Sequence, residues 1–138
     1  MGAEFDSLVD RVVGRGAYDA EAVKLLVGIG DDAIARLVEH FPGRLLHDRY
    51  HDPGRTTPVG QYGPLLRALL EFGPRAVPHL LPLVDSYDSE VRYFALYLLR
   101  EIEHPDVPAA IAKRVFDNDR QIRALAIEVL RAYERAPE

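Results

Sequence analysis

The chain has 138 residues, a formal net charge of −5 and no cysteine. This length is enough for one domain with its own core, and the acidic balance argues against general nucleic-acid binding, which depends on a basic face. The lack of cysteine excludes disulfides, thiolate zinc sites, iron–sulfur clusters and cysteine nucleophiles. No apolar run approaches the roughly 20 residues that cross a bilayer, and no signal peptide is visible, so we expect a cytoplasmic protein that does not enter the membrane.

The first five residues, Met-Gly-Ala-Glu-Phe, have the composition of a cloning scar. We therefore expect the fold to begin at Asp6 and residues 6–138 to form one domain.

The rest of the sequence predicts helices nearly throughout, because apolar residues recur at spacings of three and four and no segment alternates for long. Aspartates at N-cap positions and glycine or proline breaks mark the helix ends. About eight helices follow, with the ranges 6–13, 19–27, 31–41, 62–72, 74–84, 89–102, 105–116 and 120–130. Phe116 is predicted on the apolar face of the seventh. Prolines, glycines and charges interrupt the pattern at 43–61, which predicts an insertion loop.

An internal repeat is the strongest signal in the chain. A shift of 31 residues places identical residues at corresponding positions: Pro74 on Pro105, Asp88 on Asp119, Arg92 on Arg123, Ala95 on Ala126 and Leu99 on Leu130. A weaker copy, shifted by 43 residues, places Gly30 on Gly73 and Leu37 on Leu80, and its excess length corresponds to the insertion loop. Two helices per period predict a solenoid, because one helix pair cannot cover its own apolar face.

The repeated motif resembles the HEAT-like repeats of the phycobilisome-lyase type. It reads Asp88-Ser-Glu-Val91-Arg92-x-x-Ala95-x-x-x-Leu99, with a copy from Asp119 to Leu130. The resemblance covers residues 73–138 and, more weakly, 19–41. It implies an all-α, right-handed α-solenoid of helical hairpins, in which the helix after the motif's turn lines the concave face. Such repeats serve many functions, so the resemblance specifies no activity.

The resemblance also implies a structural role for the two repeated arginines. Arg92 is expected to pair near Asp88 or Asp85. Arg123 is expected to pair near Asp119 or Asp117.

A candidate partner-binding face lies on the sixth predicted helix. Tyr93, Tyr97 and Arg100 are spaced by four and three residues, so they share one helix face, and their composition is typical of interfaces. The equivalent face of the last helix adds Glu128 and Arg131. The alternative is that both tyrosines pack against neighbouring helices.

The insertion loop supplies a second set of candidates. Arg44, Arg49 and Tyr50 are candidate partner-binding residues, since long loops in compact domains are commonly functional. Arg44, Arg49 and Arg55 are expected to meet an acidic partner, while Leu45, Leu46 and Tyr50 indicate that the loop is partly anchored. On a helical turn, His47 and His51 could face one zinc, nickel or copper ion, although such a site needs further ligands. The alternative is a solvated loop with internal ion pairs, so no metal is expected.

These observations favour a non-catalytic protein–protein interaction or scaffold module, without a cofactor, that binds a protein partner through its concave face and the 43–61 loop. Phosphate-binding loops and nucleophile elbows are absent from the sequence. The alternative function is a nucleic-acid-binding or accessory domain of a larger enzyme. Self-association through the solenoid ends also stays open, because the last predicted helix carries Leu125, Val129 and Tyr133 without a following repeat to cover them.

Overall fold

The computed structural model describes residues 2–135, and of Arg135 only the backbone. Met1 of the predicted scar and residues 136–138 of the predicted domain lie outside the described residues. All regular structure in this range is helical, without a strand, which confirms the all-α prediction. The helices of residues 2–135 are all too short or too polar to cross a bilayer.

The structure contains α-helices and shorter 3-10 segments. The α-helices are α1 (Gly2–Val13), α2 (Ala20–Ile29), α3 (Asp31–Val38), α4 (Pro64–Phe72), α5 (Val77–Leu80), α6 (Ser89–Glu101), α7 (Val107–Ile111) and α8 (Arg120–Arg135). The 3-10 segments are Val59–Tyr62, Gly73–Ala76, Leu81–Asp85 and Ala112–Phe116. Backbone contacts divide the chain into two compact units, the first ending at Ala76 and the second beginning at Val77. The single domain expected from the sequence stays a prediction.

The first helix begins earlier than predicted. Residues 2–5 are helical, and Phe5 is 6% exposed. Phe5 continues the apolar stripe of Val9 and Val12, at spacings of four and three residues, so the same face is buried from the first turn onward. The origin of this segment as a cloning scar stays a prediction.

In the first unit, α1 packs against α2, α3 and α4, and α2 packs against α3 and α4. The predicted cap at Asp19 is present: its carboxylate accepts a hydrogen bond of 3.0 Å from the Ala22 amide and bonds of 2.9 and 3.2 Å from Arg11. Gly30 separates α2 from α3 and has a φ of 92°, a backbone angle that residues other than glycine rarely adopt.

The segment between α3 and α4 is ordered by local hydrogen bonds. The amide of Leu46 donates to the Tyr62 carbonyl over 2.7 Å. The Asp52 carboxylate accepts bonds of 2.8–2.9 Å from the amides and hydroxyls of Thr56 and Thr57, which hold the pKa of Asp52 well below its ordinary value. The chain also passes very close to itself here, because a Cβ on Gly63 would overlap the Arg44 carbonyl oxygen.

Two predicted α-helices are each divided between α-helical and 3-10 segments. The range 74–84 contains the Gly73–Ala76 segment, α5 and the Leu81–Asp85 segment. Its prolines recur every four residues at 74, 78 and 82, so each of the last two removes the hydrogen bond to the carbonyl four residues earlier and clashes with it. The range 105–116 contains the α-helix α7, which is followed by the Ala112–Phe116 3-10 segment.

In the second unit, α6 packs against α5, α8 and the Leu81–Asp85 segment, while α7 and the Ala112–Phe116 segment contact α8. All residues of α6 from 92 to 99 are buried. The carboxylates of Asp88 and Asp119 cap α6 and α8 by accepting bonds from the amides of Glu90 and Gln121, each over 2.9 Å. Both caps are where the sequence predicts them.

Candidate functional site

The two tyrosines predicted on the concave face are not accessible. Tyr93 and Tyr97 are both 0% exposed, and their rings meet edge to face with centroids 5.8 Å apart. The expectation that they contact a partner is wrong for this structure, and the alternative, that they pack inside the protein, describes it. The sequence signal was the unbroken apolar run 93–99, because a helix that is apolar on every face is buried.

The charged residues of the same predicted face bind each other. Arg100 donates to the Glu128 carboxylate over 2.7 Å, and its guanidinium lies 4.7 Å from the centre of the Tyr97 ring. Arg131 is exposed. Of this predicted face, Arg131 and part of the Arg100–Glu128 pair remain reachable by a partner.

The apolar end proposed for self-association is also covered. Leu125 and Val129 are 0% exposed, and the Tyr133 hydroxyl accepts a hydrogen bond of 3.0 Å from the His104 amide. The prediction that these side chains form an uncovered face is wrong, because Leu125 and Val129 belong to the core of the second unit and Tyr133 is partly buried.

The three loop candidates have different surroundings. Arg44 donates to the carbonyl oxygens of Arg15 and Gly16, both over 2.9 Å, and so joins the loop to the turn between α1 and α2. Arg49 is only 7% exposed, and its guanidinium lies 5.1 Å from the centre of the Tyr50 ring. Tyr50 is 62% exposed and is the most accessible of the three.

The two loop histidines stack instead of converging on an ion. The rings of His47 and His51 are 3.8 Å apart between centroids and 11° from parallel. A metal ion lies in the plane of each imidazole that binds it, so two stacked rings cannot share one ion in this arrangement. Within residues 2–134, no three His, Asp or Glu side chains are grouped closely enough to hold a metal.

The turn before α6 is built around the buried Arg92. Its guanidinium donates to both carboxylate oxygens of Asp117, over 3.0 and 3.1 Å, and to the carbonyls of Ser86 and Tyr87, over 2.8 and 3.1 Å. The structural role and the carbonyl contacts agree with the prediction. The predicted acidic partner is wrong. Arg92 pairs with Asp117, which lies 25 residues after it in the chain, and not with Asp85 or Asp88.

The repeat is visible in these hydrogen bonds. Arg123 donates to the Asp117 carbonyl over 2.7 Å, and Arg123 and Asp117 correspond to Arg92 and Ser86 after the shift of 31 residues. Each arginine therefore closes the turn that precedes its own helix, by bonding the carbonyl six residues earlier.

Asp117 connects the two turns. Its carboxylate accepts from Arg92, from Arg114 over 2.8 Å and from the Asp119 amide over 2.9 Å. Burial alone raises the pKa of this carboxyl, but the Asp119 amide and the Arg92 guanidinium outweigh burial, so the pKa lies below its ordinary value. Asp117 is therefore ionised at neutral pH, as its pairing requires.

Two aromatic side chains stand outside this ion-paired core. Tyr87 is fully exposed and Phe116 is 86% exposed, the highest values among the large apolar side chains of the described residues. Both line one groove of about 660 Å³ over the Arg92–Asp117 pair. We call this surface the Tyr87–Phe116 groove.

The sequence pattern does not predict this groove, because it places Phe116 on the apolar face of an α-helix. Residues 112–116 form a 3-10 segment instead, and Phe116 is exposed at its end. Tyr87 did carry a signal, as an aromatic residue in a polar turn, off the spacing of both neighbouring helices.

Comparisons with protein-family models, with curated proteins and with solved structures found no match to this chain. The function is therefore inferred from the residues of the chain itself.

Proposed function

We propose that the protein is a non-catalytic interaction module that holds a protein partner through the Tyr87–Phe116 groove. The observation that carries this proposal is the pair of exposed aromatic side chains on one groove. Full burial of a side chain as large as Phe contributes about 1.5–3 kcal/mol, and aromatic residues are enriched among the side chains that dominate binding energies. A partner that covers both rings would gain this free energy.

The groove is also held rigid before any partner binds. Arg92 makes four hydrogen bonds to Asp117, Ser86 and Tyr87, and these fix the backbone on which Tyr87 stands. Binding to an ordered surface loses less conformational entropy than binding to a loop that must order, so more of the contact energy remains as affinity.

The charge of the groove favours a protein partner over the alternative, a nucleic acid. Its lining carboxylates are Asp85, Asp117 and Asp119, while its lining arginines, Arg92 and Arg114, are both committed to Asp117. Phosphates would meet carboxylates without a free basic patch, which nucleic-acid binding requires.

The finer architecture belongs to the same proposal. We propose that the repeated helical hairpins stack as a right-handed HEAT-like solenoid and that the protein acts in the cytoplasm. The support for the solenoid is the repeated arginine-to-carbonyl bond at Arg92 and Arg123. The absence of cysteine is compatible with a reducing compartment.

The test compares captured partners of three proteins: wild type, Tyr87→Ser/Phe116→Ser, and the control Leu25→Ser/Ile29→Ser. The control removes two apolar side chains that are 50% and 37% exposed on α2, far along the chain from the groove. A protein captured from a lysate is purified, and its affinity for all three proteins is measured by calorimetry after circular dichroism has shown equal helix content.

Loss of one aromatic anchor of this kind costs about 2 kcal/mol, so the groove variant should bind at least 30-fold more weakly than wild type. The control should bind within threefold of wild type. Equal affinity of wild type and the groove variant would move the contact away from the groove. Capture of nucleic acid instead of protein by wild type would favour the alternative function.

A further inference from the structure

The first unit contains a second pocket, of about 670 Å³, between the loop and α4. Its walls include Tyr18, Arg44, His47 and Arg67, with Leu46 and Leu70 supplying apolar surface. It is independent of the Tyr87–Phe116 groove, because all its lining residues lie before Ala76.

All the side chains of this pocket that can carry a charge near neutral pH are basic. Arg44, His47 and Arg67 line it, and its lining includes no Asp or Glu, although the whole chain carries a net charge of −5. The concentration of positive charge in one pocket of an acidic protein creates a local field that attracts anions. Glu71 lies one turn beyond Arg67 and does not line this pocket, but it shares a neighbouring pocket with Arg67 and Tyr18.

Neither arginine of this pocket forms an ion pair with a carboxylate of residues 2–134. Arg44 bonds two backbone carbonyls, which are uncharged. Arg67 is exposed, its guanidinium lies 3.8 Å from the centre of the Tyr18 ring, and it forms no ion pair within residues 2–134. Burial, with a smaller contribution from Glu71, raises the pKa of Tyr18, so this ring stays a neutral surface under the guanidinium at pH 7.

The apolar walls and the open rim indicate the kind of anion. Leu46 is 57% exposed at the rim, and His47, Pro58 and Arg67 are also exposed. Small-molecule sites bury most of the ligand surface, which an open rim cannot do. An extended peptide can instead place one carboxylate on the arginines and a neighbouring apolar side chain against Leu46.

We propose that this pocket binds an acidic peptide segment, in which a glutamate or aspartate next to an apolar residue sits against Arg67 and Arg44. Arg67 makes the direct contact with the carboxylate, since its guanidinium is exposed. Arg44 holds the loop in place and adds its charge. The site stands whether or not the Tyr87–Phe116 groove binds a protein.

The probe is the peptide acetyl-Leu-Glu-Leu-Glu-Leu-amide, and its control is the same peptide with Gln for both Glu residues. Each peptide is titrated into ¹⁵N-labelled full-length protein, and amide chemical shifts are followed. We expect the acidic peptide to shift amides at Tyr18, His47, Gln61 and Arg67 in a saturable manner, and the Gln peptide to bind at least tenfold more weakly.

Two charge-reversal variants locate the site. Arg67→Glu should weaken binding of the acidic peptide at least tenfold, and Arg120→Glu, the same charge change at an exposed arginine of the second unit, should change it less than threefold. Raising the salt from 50 to 500 mM should also weaken binding of the acidic peptide.

Four results would overturn the proposal: equal affinity for the Glu and Gln peptides, an unchanged affinity in Arg67→Glu, shifts located outside the pocket, or no saturable shift. A titration with sodium acetate tests whether a small carboxylate binds as well as the carboxylate of a peptide. If acetate produces the same shifts at the same affinity as the peptide, the pocket takes a small carboxylate and the peptide proposal is wrong.

Discussion

Both units of this protein use an arginine to bind the backbone carbonyls of a turn between helices, but they treat its charge differently. In the second unit, Arg92 bonds the carbonyls of the turn just before its own helix, and Asp117 neutralises it. In the first unit, Arg44 reaches the carbonyls of a turn 28 and 29 residues earlier, and no carboxylate faces it in its pocket.

The consequence is a difference in electrostatic character. The turn around Arg92 is an internally paired structure, and what it offers to a partner is the apolar surface of Tyr87 and Phe116. The turn held by Arg44 keeps an uncompensated positive charge at the wall of a pocket. Hydrogen bonds from an arginine to backbone carbonyls therefore support an aromatic surface in the second unit and a basic pocket in the first.

Removal of Arg92 should have the largest effect on stability. Arg92→Met leaves the Asp117 carboxylate buried with less compensation, which costs about 3–5 kcal/mol of unfolding free energy. Arg123→Met is the matched control from the repeat, since it removes a single bond to a carbonyl, and it should cost about 1 kcal/mol.

Urea unfolding measures both free energies. In Arg92→Met, backbone amides within residues 77–135 should exchange with solvent faster than in wild type. Equal losses of unfolding free energy in the two variants would contradict the claim that pairing with the Asp117 charge makes Arg92 contribute more than Arg123.

Removal of Arg44 should have an intermediate effect, confined to the first unit. Arg44→Met loses two charge-assisted hydrogen bonds at a partly exposed site, which costs about 1–2 kcal/mol. Amides of residues 44–62 should exchange faster with solvent, while those of α6 and α8 stay protected. Arg15→Met keeps the carbonyl that Arg44 binds, so this control should change stability by less than about 0.5 kcal/mol. Faster exchange in the control as well would contradict the role given to the Arg44 side chain.

Acidification should have the smallest effect, and it tests the neutralisation at Asp117. The pKa of Asp117 is lower in the folded protein than the ordinary value of about 3.9, so its stabilising contribution is complete above that pH. The contribution is lost as the pH falls below about 4 and through the folded pKa. Urea unfolding between pH 7 and pH 2.5 should show a shallower acid-side fall for Asp117→Asn than for wild type. Parallel curves would show that Asp117 is not preferentially ionised in the fold.

Much of the local structure could be predicted from single residues. Asp19, Asp88 and Asp119 cap the helices that the sequence predicts at those positions, because an N-cap needs only a side-chain oxygen next to its own helix. The 3-10 segments within 73–85 were not predicted, although the prolines at 74, 78 and 82 that interrupt the α-helix there are visible in the sequence.

The candidate site was predicted less well. Arg44 was identified, but as a partner contact and not as the residue that joins the loop to another turn. Tyr93 and Tyr97 were placed on the surface because helix periodicity gives relative directions only, and what packs on each face depends on other elements.

The helical content and the caps could be predicted from the amino-acid sequence, because they depend on contacts within a few residues. The repeat, including the correspondence of Arg92 with Arg123, is visible as a similarity of sequence. The pairing of Arg92 with Asp117, the groove shared by Tyr87 and Phe116, and the pocket lined by Arg44 and Arg67 could not be predicted in this way. Each of these pairs brings together residues more than 20 positions apart, and their proximity depends on how the helices pack.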